Sequence, residues 1–102
     1  MILAAVDIGT NSVKYLLAQA DGEKGATVLK DAVKITKLGE GLRKSGLISL
    51  PALQRTADAV KEFVADAEKS GADVIRIVGT MALRSASNAG ELSDKLRELT
   101  GI

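Results

Sequence analysis

Hydrophobic positions along the chain fall into blocks separated by glycine-rich or charged breaks. Ile2 to Asp7 is an almost wholly apolar run, the pattern of a strand buried on both faces. Val13 to Ala20 is also strand-like. The polar cluster Asp21-Gly22-Glu23-Lys24-Gly25 then reads as a hairpin connection to a third strand, Thr27 to Ile35. Three successive strands joined by tight turns predict an antiparallel meander. The stretch from Lys37 to Gly46 breaks the pattern, and its glycines at 39, 41 and 46 predict a loop.

Beyond that loop the period changes. Ser49 is a good N-cap and Pro51 suits the first turn of a helix. Leu53, Ala57, Val60, Phe63, Val64 and Ala67 recur at three- and four-residue spacing and make one apolar helix face. Ser70-Gly71 stops it. Val74 to Val78 reads as a buried strand with Arg76 its only charge. A strand, helix, strand order demands a crossover, so this strand is expected to pair in parallel with an earlier one. After the loop Gly79 to Ser87, Asn88 is an N-cap with Glu91 placed for a capping box, and Leu92, Leu96 and Leu99 stripe a second, shorter helix. Gly101 closes it. A βββαβα order that stops one residue past a helix cap predicts a single domain over residues 1–102, cut before a fifth strand.

Composition narrows the chemistry. The 102 residues include one Tyr, one Phe and no Trp, so the core is aliphatic, and stacking on nucleic-acid bases has little to work with. Fourteen basic residues against thirteen acidic ones leave a charge of +1, so polyanion binding must be local. With no Cys and no His, disulfides, thiolate metal sites and Ser-His-Asp catalysis are all excluded. Any chemistry rests on carboxylates, hydroxyls, amides, Lys, Arg and a hard cation. No apolar run approaches the ~20 residues of a membrane span, and no basic leader opens the chain, which predicts a cytoplasmic protein.

One turn stands out. Asp7-Ile8-Gly9-Thr10-Asn11-Ser12 carries an apolar strand into a glycine and three small hydroxyl or amide side chains. Gly9 permits close backbone approach, and Thr10, Asn11 and Ser12 add donors, a set suited to a phosphate. Asp7 would position a metal ion or its water beside that phosphate. An ordinary hairpin turn uses the same residue types for conformational reasons, with Asp7 bonding its own backbone.

The whole pattern resembles the ribonuclease-H-like ATPase domain shared by sugar kinases, actin, Hsp70 and acetate kinase. Two stretches, Lys37-Leu38-Gly39-Glu40-Gly41-Leu42 and Gly79-Thr80-Met81-Ala82-Leu83-Arg84-Ser85-Ala86-Ser87-Asn88, are similar to the exopolyphosphatase/guanosine pentaphosphate phosphatase family in particular. The implied fold class is α/β, a ribonuclease-H-like (actin-like ATPase) half-domain with an antiparallel meander plus a parallel strand. The resemblance implies hydrolysis of terminal phosphoanhydride bonds in inorganic polyphosphate or guanosine pentaphosphate, in a cleft between two such domains, with a divalent cation, usually magnesium (Mg2+).

Carried onto this chain, Asp7 and Gly9 to Ser12 match the family's first phosphate loop, Arg84 its active-site arginine, and Lys37 to Leu42 a loop over the cleft. Ser85 is a weaker candidate for phosphate contact. The family often has arginine where this chain has Lys37, which keeps the charge and loses the bidentate fork. Lys30, Lys34, Lys37, Arg43 and Lys44 form a local positive excess that would steer a polyanion; a solvated strand face is the plainer reading. Arg84 has its own plain reading, a surface pair with Glu91 or Asp94, and Asn88 reads better as a helix cap than as a ligand. The family's catalytic glutamate and second phosphate loop fall after Ile102, so the chain by itself is expected to be inactive. Two alternatives stand beside this reading: a sugar kinase of the same superfamily, and a non-catalytic phosphate-binding module that self-associates into a homo-oligomer.

Overall fold

The computed structural model describes residues 1–20, 22, 25–39, 49–79, 90 and 94. Four strands and one long helix occupy them: β1 (Ile2–Ile8), β2 (Ser12–Ala20), β3 (Ala26–Ile35), α1 (Leu50–Lys69) and β4 (Val74–Gly79). The sheet order is β3-β2-β1-β4. β1, β2 and β3 form the expected antiparallel meander. β4 lies parallel to β1, as a crossover through α1 requires. Of the second helix and the Gly79–Asn88 loop anticipated from the sequence, only Gly79 and the helical positions Gly90 and Asp94 fall among the described residues.

Each element is explained by its local chemistry. The Ser49 hydroxyl accepts the Ala52 amide at 3.2 Å, and Pro51 occupies the first turn, where its missing N–H costs nothing. Gly71, at φ +82°, turns the chain out of the helix. The Asp73 amide donates to the Ile2 carbonyl at 2.7 Å, and Asp73 Oδ2 accepts the Ile2 amide at 2.7 Å, which starts the parallel pairing. One feature was not anticipated: Leu17 pairs with Lys30 but Ala18 with Val28, so Leu29 is an extra residue in a β-bulge.

The core lies between the sheet and α1. Ala4, Val6 and Ile8 of β1 and Val13, Tyr15 and Leu17 of β2 face Leu53, Val60, Phe63 and Val64 of the helix, all buried. Tyr15 stacks on Phe63 with ring centroids 4.9 Å apart. The Tyr15 hydroxyl donates to Asp66 at 2.8 Å, and Lys30 pairs with the same carboxylate at 2.8 Å.

The expectations that β1 is buried on both faces and that β4 is a buried strand are corrected here. Only the face toward α1 is covered by a described element; on the other, Leu3 is 37% and Val78 51% exposed. An apolar run shows that a strand avoids water without showing which element supplies the cover.

Candidate functional site

β1 ends in Asp7 and Ile8, and a two-residue turn, Thr10-Asn11, returns the chain as β2. The Gly9 amide closes this turn on the Ser12 carbonyl at 2.8 Å. A Cβ at position 9 would stand 3.0 Å from that same oxygen, a tighter contact than most side chains make, so glycine suits the close approach. Asp7, Gly9, Thr10, Asn11, Ser12 and Lys14 line a cavity of about 230 Å³. Five of the predicted site residues therefore meet in one place.

A strap holds the turn from the far side. The chain leaving β3 crosses it, and the amides of Thr36 and Lys37 both donate to the Asn11 carbonyl at 3.0 Å. The Gly39 amide donates to the Thr10 carbonyl at 2.9 Å. Lys37 adopts φ +52°, a left-handed conformation that costs a non-glycine residue about 1–2 kcal/mol. Leu38 anchors the strap in the core with no exposure, and Arg55 of α1 donates to the Thr36 carbonyl at 2.8 Å. Gly39 packs so closely that a Cβ there would lie 2.4 Å from Thr10 Cγ2.

The strap sorts the polar groups of the turn. The carbonyls of Thr10 and Asn11 are occupied, while the amides of the same two residues donate to nothing among the described residues. Two adjacent N–H groups without a described partner, on exposed residues beside the Thr10 and Ser12 hydroxyls, are a donor set suited to an anion. Asp7 makes no hydrogen bond to its own backbone among the described residues, so the turn-forming explanation of this aspartate is not what the structure displays.

Lys14 was missed by sequence reasoning. It pairs directly with Asp7 across β1 and β2, on the same face and in the same cavity. Counting back from a two-residue turn would have found it: if Ile8 opposes Val13, Asp7 opposes Lys14. Lys37, by contrast, contributes its backbone to the strap but does not line the cavity. Lys30 and Lys34 belong elsewhere, paired with Asp66 and Glu62 of α1. Arg43, Arg84 and Ser85 lie outside the described residues.

A mixed sheet whose first strand delivers a carboxylate to a tight hairpin, with a parallel strand reached through a crossover helix, defines an α/β domain. Among the described residues, no helix is long and apolar enough to cross a membrane. Comparison with known proteins adds the family. The chain belongs to the Ppx/GppA phosphatase family, whose model matches residues 16–102. It is 36% identical over 100 residues to a guanosine-5'-triphosphate,3'-diphosphate pyrophosphatase of Vibrio cholerae serotype O1, covering 98% of this chain and 20% of that relative. The crystal structure of the Aquifex aeolicus Ppx/GppA family member superposes on all of this chain with a TM-score of 0.94 and 25% identity, over 33% of its own length. An exopolyphosphatase from Cytophaga hutchinsonii gives 0.93 and 25%, over 32% of its length. The chain thus spans about a fifth of the curated relatives it matches and a third of the solved structures. With the sheet order, these neighbours bear out the expected actin-like ATPase fold.

Proposed function

We propose that this chain forms the first phosphate-binding half of a phosphoanhydride hydrolase that removes terminal phosphate from inorganic polyphosphate or guanosine pentaphosphate. The observation that carries the reading is the sorted turn: the carbonyls of Thr10 and Asn11 are bound to the strap, their amides have no partner among the described residues, and both residues line the cavity that Asp7 and Lys14 share. Phosphoryl transfer depends mainly on positioning and on neutralising the charge of the equatorial oxygens. The two amides, the Thr10 and Ser12 hydroxyls and the Lys14 ammonium supply donors for this.

Magnesium fits this cavity in a limited way. No group of three or more acidic side chains occurs among the described residues, so a cage made wholly of protein ligands is not available there. Magnesium typically takes one or two carboxylates, keeps several waters and shares phosphate oxygens, a demand that Asp7 alone meets from the protein side. When bound, the ion supplies charge neutralisation at the phosphate. Asp7 would hold its hydration shell in place, and Lys14 would offset phosphate charge beside it. Arg84, Arg43 and Ser85 enter the proposal through the family likeness. A cytoplasmic location is proposed on the same ground.

The test is a titration with tripolyphosphate, with and without magnesium, followed by amide chemical shifts. The Thr10, Asn11 and Ser12 signals are expected to move together, and Lys14→Ala to weaken binding by about tenfold, as the loss of one charge-assisted contact implies. Unmoved Thr10 and Asn11 amides at saturating ligand would reject the reading.

A further inference from the structure

The strap that sorts the phosphate turn is itself held, and the hold comes from α1. Arg55, in the second turn of that helix, donates from Nε to the Thr36 carbonyl at 2.8 Å. Thr36 is 2% exposed, so water has little access to this carbonyl, and Arg55 is its partner among the described residues. Arg55 is not among the residues that line the cavity at the turn.

Peptide geometry carries the contact further. A trans peptide holds its C=O and the following N–H antiparallel in one plane. The peptide that accepts from Arg55 at Thr36 therefore presents the Lys37 N–H from its other edge, and that N–H donates to the Asn11 carbonyl at 3.0 Å. The next peptide repeats the step. Its carbonyl, that of Asn11, is engaged by the strap, so its N–H, that of Ser12, points away from the strap. Guanidinium, strap peptide and turn peptide thus stand in series, N–H to C=O at each junction. The last N–H belongs to Ser12, which lines the cavity.

We propose that Arg55 is a positioning residue for the phosphate turn, acting through the Thr36–Lys37 and Asn11–Ser12 peptides, a role that rests on the phosphate reading above. It acts in two ways. First, it keeps the strap seated against the strain of Lys37, whose φ of +52° persists only while the anchors around it outweigh its cost. Leu38, buried in the core, is one anchor, and Arg55 is another. Second, hydrogen bonds in series polarise one another, so a cation at the head makes the final N–H a stronger donor to an anion.

Two substitutions separate these effects. Arg55→Gln keeps an N–H donor at the same distance along the side chain and removes the charge; Arg55→Met places a methyl group there and removes both. Residue 55 is exposed, so both variants should fold, which circular dichroism checks. Hydrogen exchange in the free chain reads the strap, and titration with tripolyphosphate reads the turn. Arg55→Met is expected to speed exchange of the Thr36, Lys37 and Gly39 amides about tenfold relative to the β1–β4 ladder, and to raise the tripolyphosphate dissociation constant about five- to tenfold. Arg55→Gln is expected to leave strap exchange as in the wild type and to raise the constant about twofold. Faster strap exchange in Arg55→Met with unchanged affinity would overturn the proposal and leave the phosphate reading standing. Equal loss of affinity in both variants with strap exchange unmoved would also overturn it, because the charge at long range, and not the hydrogen bond, would then be responsible. A wild-type chain whose turn amides ignore tripolyphosphate would reject the phosphate reading, and this role with it.

Discussion

At the residue scale, the site depends on one contact that spacing alone does not reveal. Gly39 reads from the sequence as loop punctuation, yet its backbone lies against Thr10 with no room for a methyl group. Gly39→Ala forces an overlap at 2.4 Å with Thr10 Cγ2 and is expected to destabilise the chain by about 1–3 kcal/mol. Displacement of Thr10 would also weaken tripolyphosphate binding, because one of the two open amides moves with it. Thr10→Ser removes that methyl and keeps the hydroxyl. In its background Gly39→Ala should be nearly neutral, a coupling that urea denaturation of the four proteins would measure. Equal costs in both backgrounds would show that the close approach is not the reason for the glycine. The Asp7–Ser12 turn was legible because its chemistry is contiguous in sequence. Lys14 and the strap were not: one needs the cross-strand register, and the other joins residues more than twenty positions apart through backbone groups that carry no side-chain signature.

At the scale of elements, the strands and the long helix followed from period and caps because each signal is local. The β-bulge at Leu29 left no such trace, and the cover on the second sheet face is a tertiary fact that an apolar run does not encode. What pins β2 and β3 to α1 is a polar pair of contacts on an otherwise aliphatic core: Tyr15 and Lys30 both donate to Asp66. The Lys30 hydrogen bond, then that of Tyr15, holds the Asp66 carboxyl below the usual carboxylate range. Burial, followed by Asp66 itself, pushes the Tyr15 phenol up. A carboxylate with a depressed folded-state value stabilises the fold above its unfolded value, near pH 4, and loses that contribution as pH falls through the folded value. Asp66→Asn is therefore expected to lower stability at pH 7 by under about 1 kcal/mol, since the pair is solvent-exposed, with the gap closing as pH drops below about 4. Urea midpoints of both proteins at neutral and acid pH decide it. An undiminished gap in acid would assign the loss to packing.

At the scale of the whole molecule, binding and turnover separate. The cavity at the β1–β2 turn holds one carboxylate, Asp7, and one cation, Lys14, among its lining residues. Hydrolysis of a phosphoanhydride asks for two distinct carboxylate tasks, holding the metal's water shell and orienting or deprotonating the attacking water. Asp7 cannot perform both, because a carboxylate engaged with a hydrated cation is a poor base. The Ppx/GppA relatives that superpose on this chain are about three times its length, which leaves room for the second task to reside in sequence this chain does not contain. The purified 102-residue chain is thus expected to bind tripolyphosphate and release no phosphate above background, with or without magnesium. Phosphate release assayed over hours, beside an Asp7→Ala control, is the measurement. Magnesium-dependent release that the Asp7→Ala change abolishes would mean that the described cavity, or a carboxylate near it, completes the reaction unaided, and the division of labour argued from the single carboxylate would fail.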